Sequence, residues 1–124
     1  MMEAISKGAH NIGGTSIGYT CKSFPSVVGN EFLTETIVTE NIFERLNNLI
    51  TNSELFIIQR GGTGTLAELF LCLDIIRKLK VKPRIIVVGG FWKDIFKECS
   101  YLIPQHEIAL IEMVDNYNEL KQII

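Results

Sequence analysis

The sequence predicts an α/β fold in which a parallel sheet has helices on both faces. Short apolar segments alternate with segments of helical periodicity along the 124 residues, a pattern typical of parallel strands joined by helices. The strand predicted at Arg84–Val88 is almost continuously β-branched, as expected where both faces of a strand are covered. No repeat, linker or low-complexity segment interrupts the pattern, so we expect one domain over residues 1–124.

Each element is read from its own periodicity and end signals. The predicted strands are Thr15–Thr20, Thr36–Thr39, Leu55–Gln59, Arg84–Val88 and Ala109–Val114. The predicted helices are Met2–Ala9, Asn41–Asn52 with Asn41 as its N-cap, Thr65–Lys80, Phe91–Ser100 and Tyr117–Ile124. Asn11, Gly13 and Gly14 mark the end of the first helix, and Pro83 separates the third helix from the strand that follows.

Two of these helices have a predicted apolar side. On the helix Asn41–Asn52, this side carries Phe43, Leu46, Leu49 and Ile50. On the helix Thr65–Lys80, it carries Leu66, Leu69, Phe70, Leu73 and Ile76. The second stripe is wide, so we expect it in the core, with part of it packing against a second subunit in so short a chain. The sequence therefore favours a homodimer or larger homo-oligomer. Arg77, Lys78 and Lys80 are expected in the last turn of this helix, where cations complement the dipole.

Composition narrows the possible partners and location. The formal net charge is −2, and basic residues are not in excess, which argues against a nucleic-acid partner. No apolar run reaches membrane-spanning length, and Met1–His10 lacks the pattern of a signal peptide. We therefore expect a cytoplasmic protein without a membrane partner.

The cysteines and histidines predict no metal site. The three cysteines are far apart and odd in number, which fits neither a disulfide framework nor a zinc site. Cys72 falls in a helical run and is expected in the core. His10 and His106 lack partners at ligand spacing and are expected at the surface.

The segment Leu55–Glu68 contains the candidate functional site. A short apolar strand leads directly into a turn with Gly61, Gly62 and Gly64, and then into a helix. This order places free N–H groups and the positive end of a helix dipole at the carboxyl end of a strand, which favours phosphate. Thr63 and Thr65 add hydroxyl donors, and Glu68 is expected in the first helical turn. The structural alternative is a glycine turn that binds nothing, with Glu68 complementing the dipole.

Other chemistries fit this segment less well. Residues Gly62–Ala67 also satisfy Gly-x-Gly-x-x-Ala, but the acidic residue that dinucleotide binding requires is absent from the following strand. A mononucleotide or sugar phosphate is therefore preferred to NAD, and no cofactor is expected. No Walker lysine follows the glycines, and no Gly-x-Ser-x-Gly elbow is present. Phe91 and Trp92 have two readings, a base pocket or an aromatic pair that packs on the sheet edge, and the second is preferred.

The glycine turn resembles the Pro-Gly-Gly-x-Gly-Thr-x-x-Glu signature of the LOG-type phosphoribohydrolases, Rossmann-like proteins often labelled "lysine decarboxylase-like". Gly61, Gly62, Gly64, Thr65 and Glu68 match this signature in order. The resemblance extends over nearly the whole chain. Further similar segments are Met2–Ala9, Gly13–Gly18, Glu44–Arg45, Lys82–Trp92 and Val114–Asp115.

The resemblance implies hydrolysis of the N-glycosidic bond of nucleoside 5′-monophosphates, including cytokinin ribotides, to a free base and ribose 5-phosphate. It implies Glu68 and Arg45 as the residues acting at the ribose and phosphate, and the turn Gly61, Gly62, Thr63, Gly64 and Thr65 as the nucleotide-binding segment. A carboxylate can stabilise an oxocarbenium-like sugar or position water, and a guanidinium can hold a phosphate. The decarboxylase label would need a Schiff-base lysine, and no lysine is distinctively placed.

Three features depart from the family pattern. Arg60 stands where the family has Pro, and Leu46 where it has Lys. The family's first strand with its Gly-Ser loop, and its second strand with a Gly-Gly-Gly turn, have no counterpart here. We therefore expect an N-terminally truncated Rossmann-like sheet, and a non-catalytic nucleotide-binding or sensor module remains the alternative function.

Overall fold

The computed structural model describes residues 2–124 and has an α/β fold with parallel strands, which confirms the predicted fold class. The chain forms two compact units that meet in sequence between Asn52 and Ser53. The strands are divided between two sheets, one in each unit, instead of forming the single predicted sheet. The elements are α1 Met2–Asn11, β1 Ile17–Cys21, β2 Glu35–Thr39, α2 Ile42–Thr51, β3 Leu55–Ile58, α3 Thr63–Ile76, β4 Arg84–Val88, α4 Phe91–Cys99, α5 Gln105–Ile108, β5 Ile111–Val114 and α6 Tyr117–Ile123.

The first unit contains a two-stranded parallel sheet. Strand β1 pairs with β2 in a register that sets Ile17 opposite Glu35 and Cys21 opposite Thr39. Helix α1 precedes this sheet and ends at Asn11. Two residues later, Gly13 has a φ of +74°, the left-handed conformation that glycine adopts readily after a helix. The long connection between β1 and β2 packs on the sheet through Leu33, which occupies the space that a side chain at Gly18 would need.

Helix α2 begins where the sequence predicts. The Asn41 side chain accepts a hydrogen bond from the Glu44 N–H at 3.0 Å, and the Glu44 carboxylate accepts one from the Glu40 N–H at 2.9 Å. This cap satisfies N–H groups that have no partner inside the helix. Ile50 is buried as predicted, but Phe43 is 79% exposed. Its assignment to the apolar side was wrong, because Phe43 lies in the first turn of α2, beyond the part of the helix that the core covers.

The second unit contains a three-stranded parallel sheet in the order β3-β4-β5. The central strand β4 pairs with β3 on one side and β5 on the other. Ile85 and Val87 alternate with Ile86 and Val88 along it, and all four are buried, so both faces of the strand are covered as predicted. On one face, Ile86 and Val88 form a cluster with Val114 of β5 and Leu120 of α6.

Helix α3 supplies much of the core of this unit. Leu69, Leu73 and Ile76 are buried, as is Cys72, whereas Leu66 and Phe70 are half-buried. The predicted core stripe is therefore confirmed for three of its five residues. Leu69 and Leu73 are covered within the chain itself. The predicted boundaries were wrong, because the helix begins two residues earlier than Thr65 and ends at Ile76, four residues before Lys80.

The basic residues expected in the last turn of α3 therefore lie beyond it. Lys82 reaches back to this end instead, and its ammonium group donates to the carbonyl oxygens of Ile76 and Arg77, each at 3.1 Å, and of Leu79. Arg77 and Lys78 instead form ion pairs with Asp74 inside the helix. The negative end of the α3 dipole is therefore still complemented by a cation, but that cation is Lys82, which lies in the loop after the helix.

The turn between β4 and α4 depends on Gly89. Its φ is +127°, and a Cβ there would lie 2.3 Å from the ring of Phe91, so a side chain is excluded by both the backbone conformation and space. Trp92 is buried and stacks on Phe96, with ring centroids 6.1 Å apart, so Trp92 is a core residue of helix α4. The short helix α5 was not predicted, since four residues carry too little periodicity to identify it.

Candidate active site

The predicted turn lies between β3 and α3, at the carboxyl end of the strand. Strand β3 ends at Ile58, and α3 begins at Thr63 with Gly62 as its N-cap, which makes no side-chain capping hydrogen bond. The N–H of Leu66 bonds to the Gly62 carbonyl at 3.2 Å and begins the helical hydrogen bonding. The N–H groups of Thr63, Gly64 and Thr65 precede this bond and are the donors that a helix leaves without an internal partner. Residues 60–64 are exposed, so most of the turn faces solvent.

Glycine occupies the three positions of the turn for different structural reasons. A Cβ at Gly61 would lie 2.0 Å from the Thr65 hydroxyl oxygen, so glycine is required there by the packing of the turn itself. At Gly62 and Gly64, no atom of residues 2–124 beyond the adjacent residues and the backbone of the same helix lies within 4 Å of the position that a Cβ would take. Internal packing therefore does not explain Gly62 and Gly64, and the space above their backbone is open to a ligand.

Glu68 lies in the second turn of α3, and its predicted place in the first turn was wrong because the helix begins at Thr63. The carboxylate nevertheless belongs to the same helix face as Gly64, four residues earlier. Helical side chains lean toward the N-terminus, so Glu68, which is half-buried, points along α3 in the direction of the turn.

The negative charge of Glu68 affects the pKa of the Cys72 thiol, which lies four residues later on α3. Burial raises the pKa of the Cys72 thiol to about 11, and the negative charge of Glu68 adds to that rise. A buried thiol next to a carboxylate is the opposite of the electropositive setting that activates cysteine. Cys72 is therefore a structural residue, as predicted, and not a nucleophile.

Arg45 lies in the first unit, on α2. Its Nε donates to the Tyr19 carbonyl of β1 at 2.9 Å, and its guanidinium carbon lies 5.4 Å from the centre of the Phe24 ring. These contacts hold the half-buried guanidinium beside β1, where it lines a cavity of about 570 Å³ together with Tyr19, Phe24 and Leu49. The sequence did not predict this use of Arg45, because a hydrogen bond to a main-chain carbonyl leaves no trace in residue identity.

The structure brings five of the seven candidate residues into one local site and places Glu68 on the same helix. Gly61, Gly62, Thr63, Gly64 and Thr65 form the turn and the start of α3. Arg45 belongs to the other compact unit, residues 2–52, and contributes a cation to the wall of the cavity there.

A further ion pair lies at the carboxyl edge of the second sheet and was missed. Lys93 of α4 lies 2.7 Å from Asp115, which follows β5, and this hydrogen bond raises the pKa of the Lys93 ammonium. Because β3, β4 and β5 are parallel, the glycine turn, Gly89–Gly90 and Asp115 all follow strand ends at this edge. The signal that could have identified Asp115 is its position directly after the predicted strand Ala109–Val114.

Other candidate chemistry is limited among residues 2–124. No three His, Cys, Asp or Glu side chains come together to hold a metal ion there. His10 and His106 are exposed, as predicted. No described helix combines the length and apolar character needed to cross a bilayer.

Comparison with known proteins identifies a family. The family model described as "possible lysine decarboxylase" matches residues 2–124, which is nearly the full chain. No curated protein gives a significant match. The match includes the glycine turn, Glu68, Arg45 and the strands of both sheets. The chain therefore belongs to the LOG family, whose model has the description "possible lysine decarboxylase".

Proposed function

We propose that this protein binds a nucleoside 5′-monophosphate and hydrolyses its N-glycosidic bond, releasing the free base and ribose 5-phosphate. The observation that carries the proposal is the exposed start of α3, where Gly62 and Gly64 leave open space over helix N-terminal donors. A phosphate in that space accepts hydrogen bonds from the N–H groups of Thr63 to Thr65 and meets the positive end of the helix dipole. Membership of the LOG family supports the same reaction.

In this proposal, Glu68 acts on the sugar. Cleavage of the bond between C1′ and the base leaves positive charge on the ribose ring, and a carboxylate stabilises that charge or orients the attacking water. Water supplies a hydroxyl to C1′ and a proton to the departing base, so no oxidant or cofactor is consumed. The placement of Glu68 on the Gly64 face of α3 supports this role, because a ligand held by its phosphate at the turn presents its sugar along the helix.

Arg45 is the second proposed catalytic residue, as the cation that clamps the phosphate or orients the carboxylate. Its Nε donates to the Tyr19 carbonyl at 2.9 Å. The bond to Tyr19 and the contact with Phe24 fix the direction of the side chain, which favours a preorganised cation.

A second function, nucleotide binding without catalysis, is favoured by one specific observation. Arg60 replaces the proline of the family signature directly before the glycines, and it is exposed. An additional cation beside the helix start strengthens phosphate binding without contributing to bond cleavage. In this second function, the turn binds the nucleotide of a sensor protein, and the nucleotide is not cleaved.

The decisive experiment measures base release from AMP and from a cytokinin ribotide by chromatography. We expect release by the wild type, and at least a 100-fold slower rate for Glu68→Gln with AMP affinity changed less than threefold, as for a group that acts mainly in the transition state. Glu112→Gln is the matched control, since Glu112 pairs with Arg84 on the strands away from the turn. Binding of AMP without base release by the wild type overturns the hydrolase and favours the sensor, and absence of AMP binding overturns both.

A further inference from the structure

The segments that lead into β4 and β5 lie together at the amino edge of the second sheet. Because β3, β4 and β5 are parallel, residues that precede the strands meet at one edge, and residues that follow them meet at the other. The two segments are residues 77–83, after α3, and residues 100–110, which contain α5. An ion pair joins them, since the Arg77 guanidinium lies 3.4 Å from the Glu107 carboxylate. They form one surface, the amino-edge surface, at the opposite edge of the sheet from the glycine turn.

Apolar side chains project from the amino-edge surface. Leu102 is 90% exposed, Val81 is 87% exposed and Tyr101 is 86% exposed, and Leu79 is 42% exposed. Side chains exposed to this extent contact little of their own chain, so they contribute little to its core. Exposed apolar residues that are grouped together mark a contact with another molecule or with a membrane, whereas scattered ones need no explanation.

Positive charge is concentrated in the same surface. Residues 77–84 contain five of the 12 Lys and Arg residues of the chain and no Asp or Glu, although the whole chain has a net charge of −2. The carboxylates of Asp74, Glu107 and Glu112 pair with part of this charge. Lys80 forms no ion pair with any residue in the range 2–124. The amino-edge surface therefore presents cations directly beside projecting apolar side chains.

This combination distinguishes between anionic partners. Nucleic acids offer phosphates to cations, but they give projecting aliphatic side chains little to contact. An anionic bilayer presents phosphates at its surface and hydrocarbon directly below them. Lysine keeps its ammonium group at the phosphates while neighbouring apolar side chains enter the hydrocarbon. The alternating sequence Lys-Leu-Lys-Val-Lys at residues 78–82 fits both layers.

We propose that the amino-edge surface binds an anionic lipid bilayer as a peripheral contact. Val81 and Leu102 enter the boundary of the hydrocarbon, and Lys80 contacts lipid phosphates. This proposal replaces the expectation of no membrane partner, which rested on the absence of an apolar run long enough to span a bilayer. It is independent of base release, because the glycine turn lies at the carboxyl edge of the sheet.

The test measures co-sedimentation of the full chain with lipid vesicles. One set consists of phosphatidylcholine alone, and the other contains about 30% phosphatidylserine, which supplies the negative surface potential of a cytoplasmic leaflet. We expect binding to the anionic vesicles at least about tenfold tighter than to the neutral ones, and a loss of most of it at about 0.5 M salt, where charges are screened. Equal binding to both sets, or binding to neither, overturns the proposal.

Two matched pairs of variants test the apolar contacts. Leu102→Ser is compared with Ile12→Ser, and Val81→Ser with Val28→Ser, because Ile12 and Val28 are also more than four-fifths exposed but lie in the first unit. Affinity for the anionic vesicles should fall about tenfold for Leu102→Ser and about fivefold for Val81→Ser, since buried methylene groups are lost, and less than about twofold for the controls. Circular dichroism checks each fold, and either pair is sufficient if a variant of the other fails to fold. Equal affinities within a folded pair overturn the proposal.

A third pair tests the charge. Lys80→Gln should weaken binding to the anionic vesicles about fivefold, whereas Lys93→Gln, which removes the same charge beside Asp115 at the carboxyl edge, should change it less than about twofold. Equal effects of these two variants overturn the proposal, because they reduce it to attraction by total charge. A single-stranded RNA of about 20 nucleotides is the competing ligand. RNA binding that Lys80→Gln weakens and Leu102→Ser leaves unchanged, without vesicle binding, overturns the proposal in favour of a nucleic acid.

Discussion

Strands β1 and β4 have similar lengths and the same parallel pairing, but very different surroundings. Strand β4 has a neighbour on each edge and is buried from Ile85 to Val88, whereas β1 pairs only with β2 and has Cys21 as its one buried residue. Among residues 2–124, the buried apolar residues other than Cys21 and Ile50 all lie in residues 53–124. Stability therefore rests mainly on the second unit, and the first unit is the part where local opening requires the least free energy.

The largest expected effect tests this contrast with two isoleucines. Ile86→Ala should lower the free energy of unfolding by about 3–4 kcal/mol, because it leaves a cavity in a fully covered strand. Ile17→Ala, at a partly exposed position of β1, should cost below about 1 kcal/mol. Urea unfolding followed by fluorescence of Trp92, the single tryptophan, and by circular dichroism measures both. Equal losses would contradict the unequal distribution of core between the units.

The cysteines report local opening directly. In single-cysteine variants at neutral pH, Cys72 should react with a thiol reagent about 100-fold more slowly than Cys21, although both are buried. One reason is that Cys21 becomes accessible through opening of the weaker unit, and the other is the raised pKa of Cys72, about 11 instead of 9.0, which reduces its thiolate fraction. Cys99, which is half-buried, is the control and should react first. Faster labelling of Cys72 than of Cys21 would reverse the order of unit stabilities proposed here.

Two glycines with positive φ, one in each unit, extend the comparison to single turns. Gly89→Ala should destabilise by about 2–3 kcal/mol, because the added Cβ is strained at a φ of +127° and meets the Phe91 ring. Gly13→Ala should cost only about 1 kcal/mol, because its φ of +74° lies in the left-handed region and its surroundings are open. Thermal unfolding of the two variants gives the comparison. If Gly13→Ala were the more damaging, the space around these turns would not be the deciding factor.

The smallest effect concerns the exposed ion pair between Arg84 and Glu112. The hydrogen bond from Arg84 lowers the pKa of the Glu112 carboxyl below its ordinary value of 4.5. A carboxyl with a lowered folded-state pKa stabilises fully above pH 4.5, and this contribution is lost as the pH falls through the lowered pKa. Wild type and Glu112→Gln should therefore differ slightly at pH 7 and converge in acid, because exposed pairs are weak. A difference that grows on acidification would exclude this explanation.

The sequence by itself determined the order and type of all the elements except α5, along with the core stripe of α3 and the position of the glycine turn. These features depend on local information: hydrophobic periodicity, capping residues such as Asn41, and glycines between a strand and a helix. The same information places Glu68 after the turn but not in the correct helical turn, because nothing in the sequence distinguishes Thr63 from Thr65 as the first residue of α3.

Only the tertiary structure decided how the strands are distributed and what their edges and neighbours do. The division into two sheets, the exposure of Phe43, the bond from Arg45 to the Tyr19 carbonyl and the cavity that Arg45 lines all depend on residues distant in sequence. Main-chain groups are identical in every residue other than proline, so a sequence does not encode which of them remain unpaired. That information arises only when the strands pair, and here β1 pairs with β2 in one sheet while β3, β4 and β5 form another.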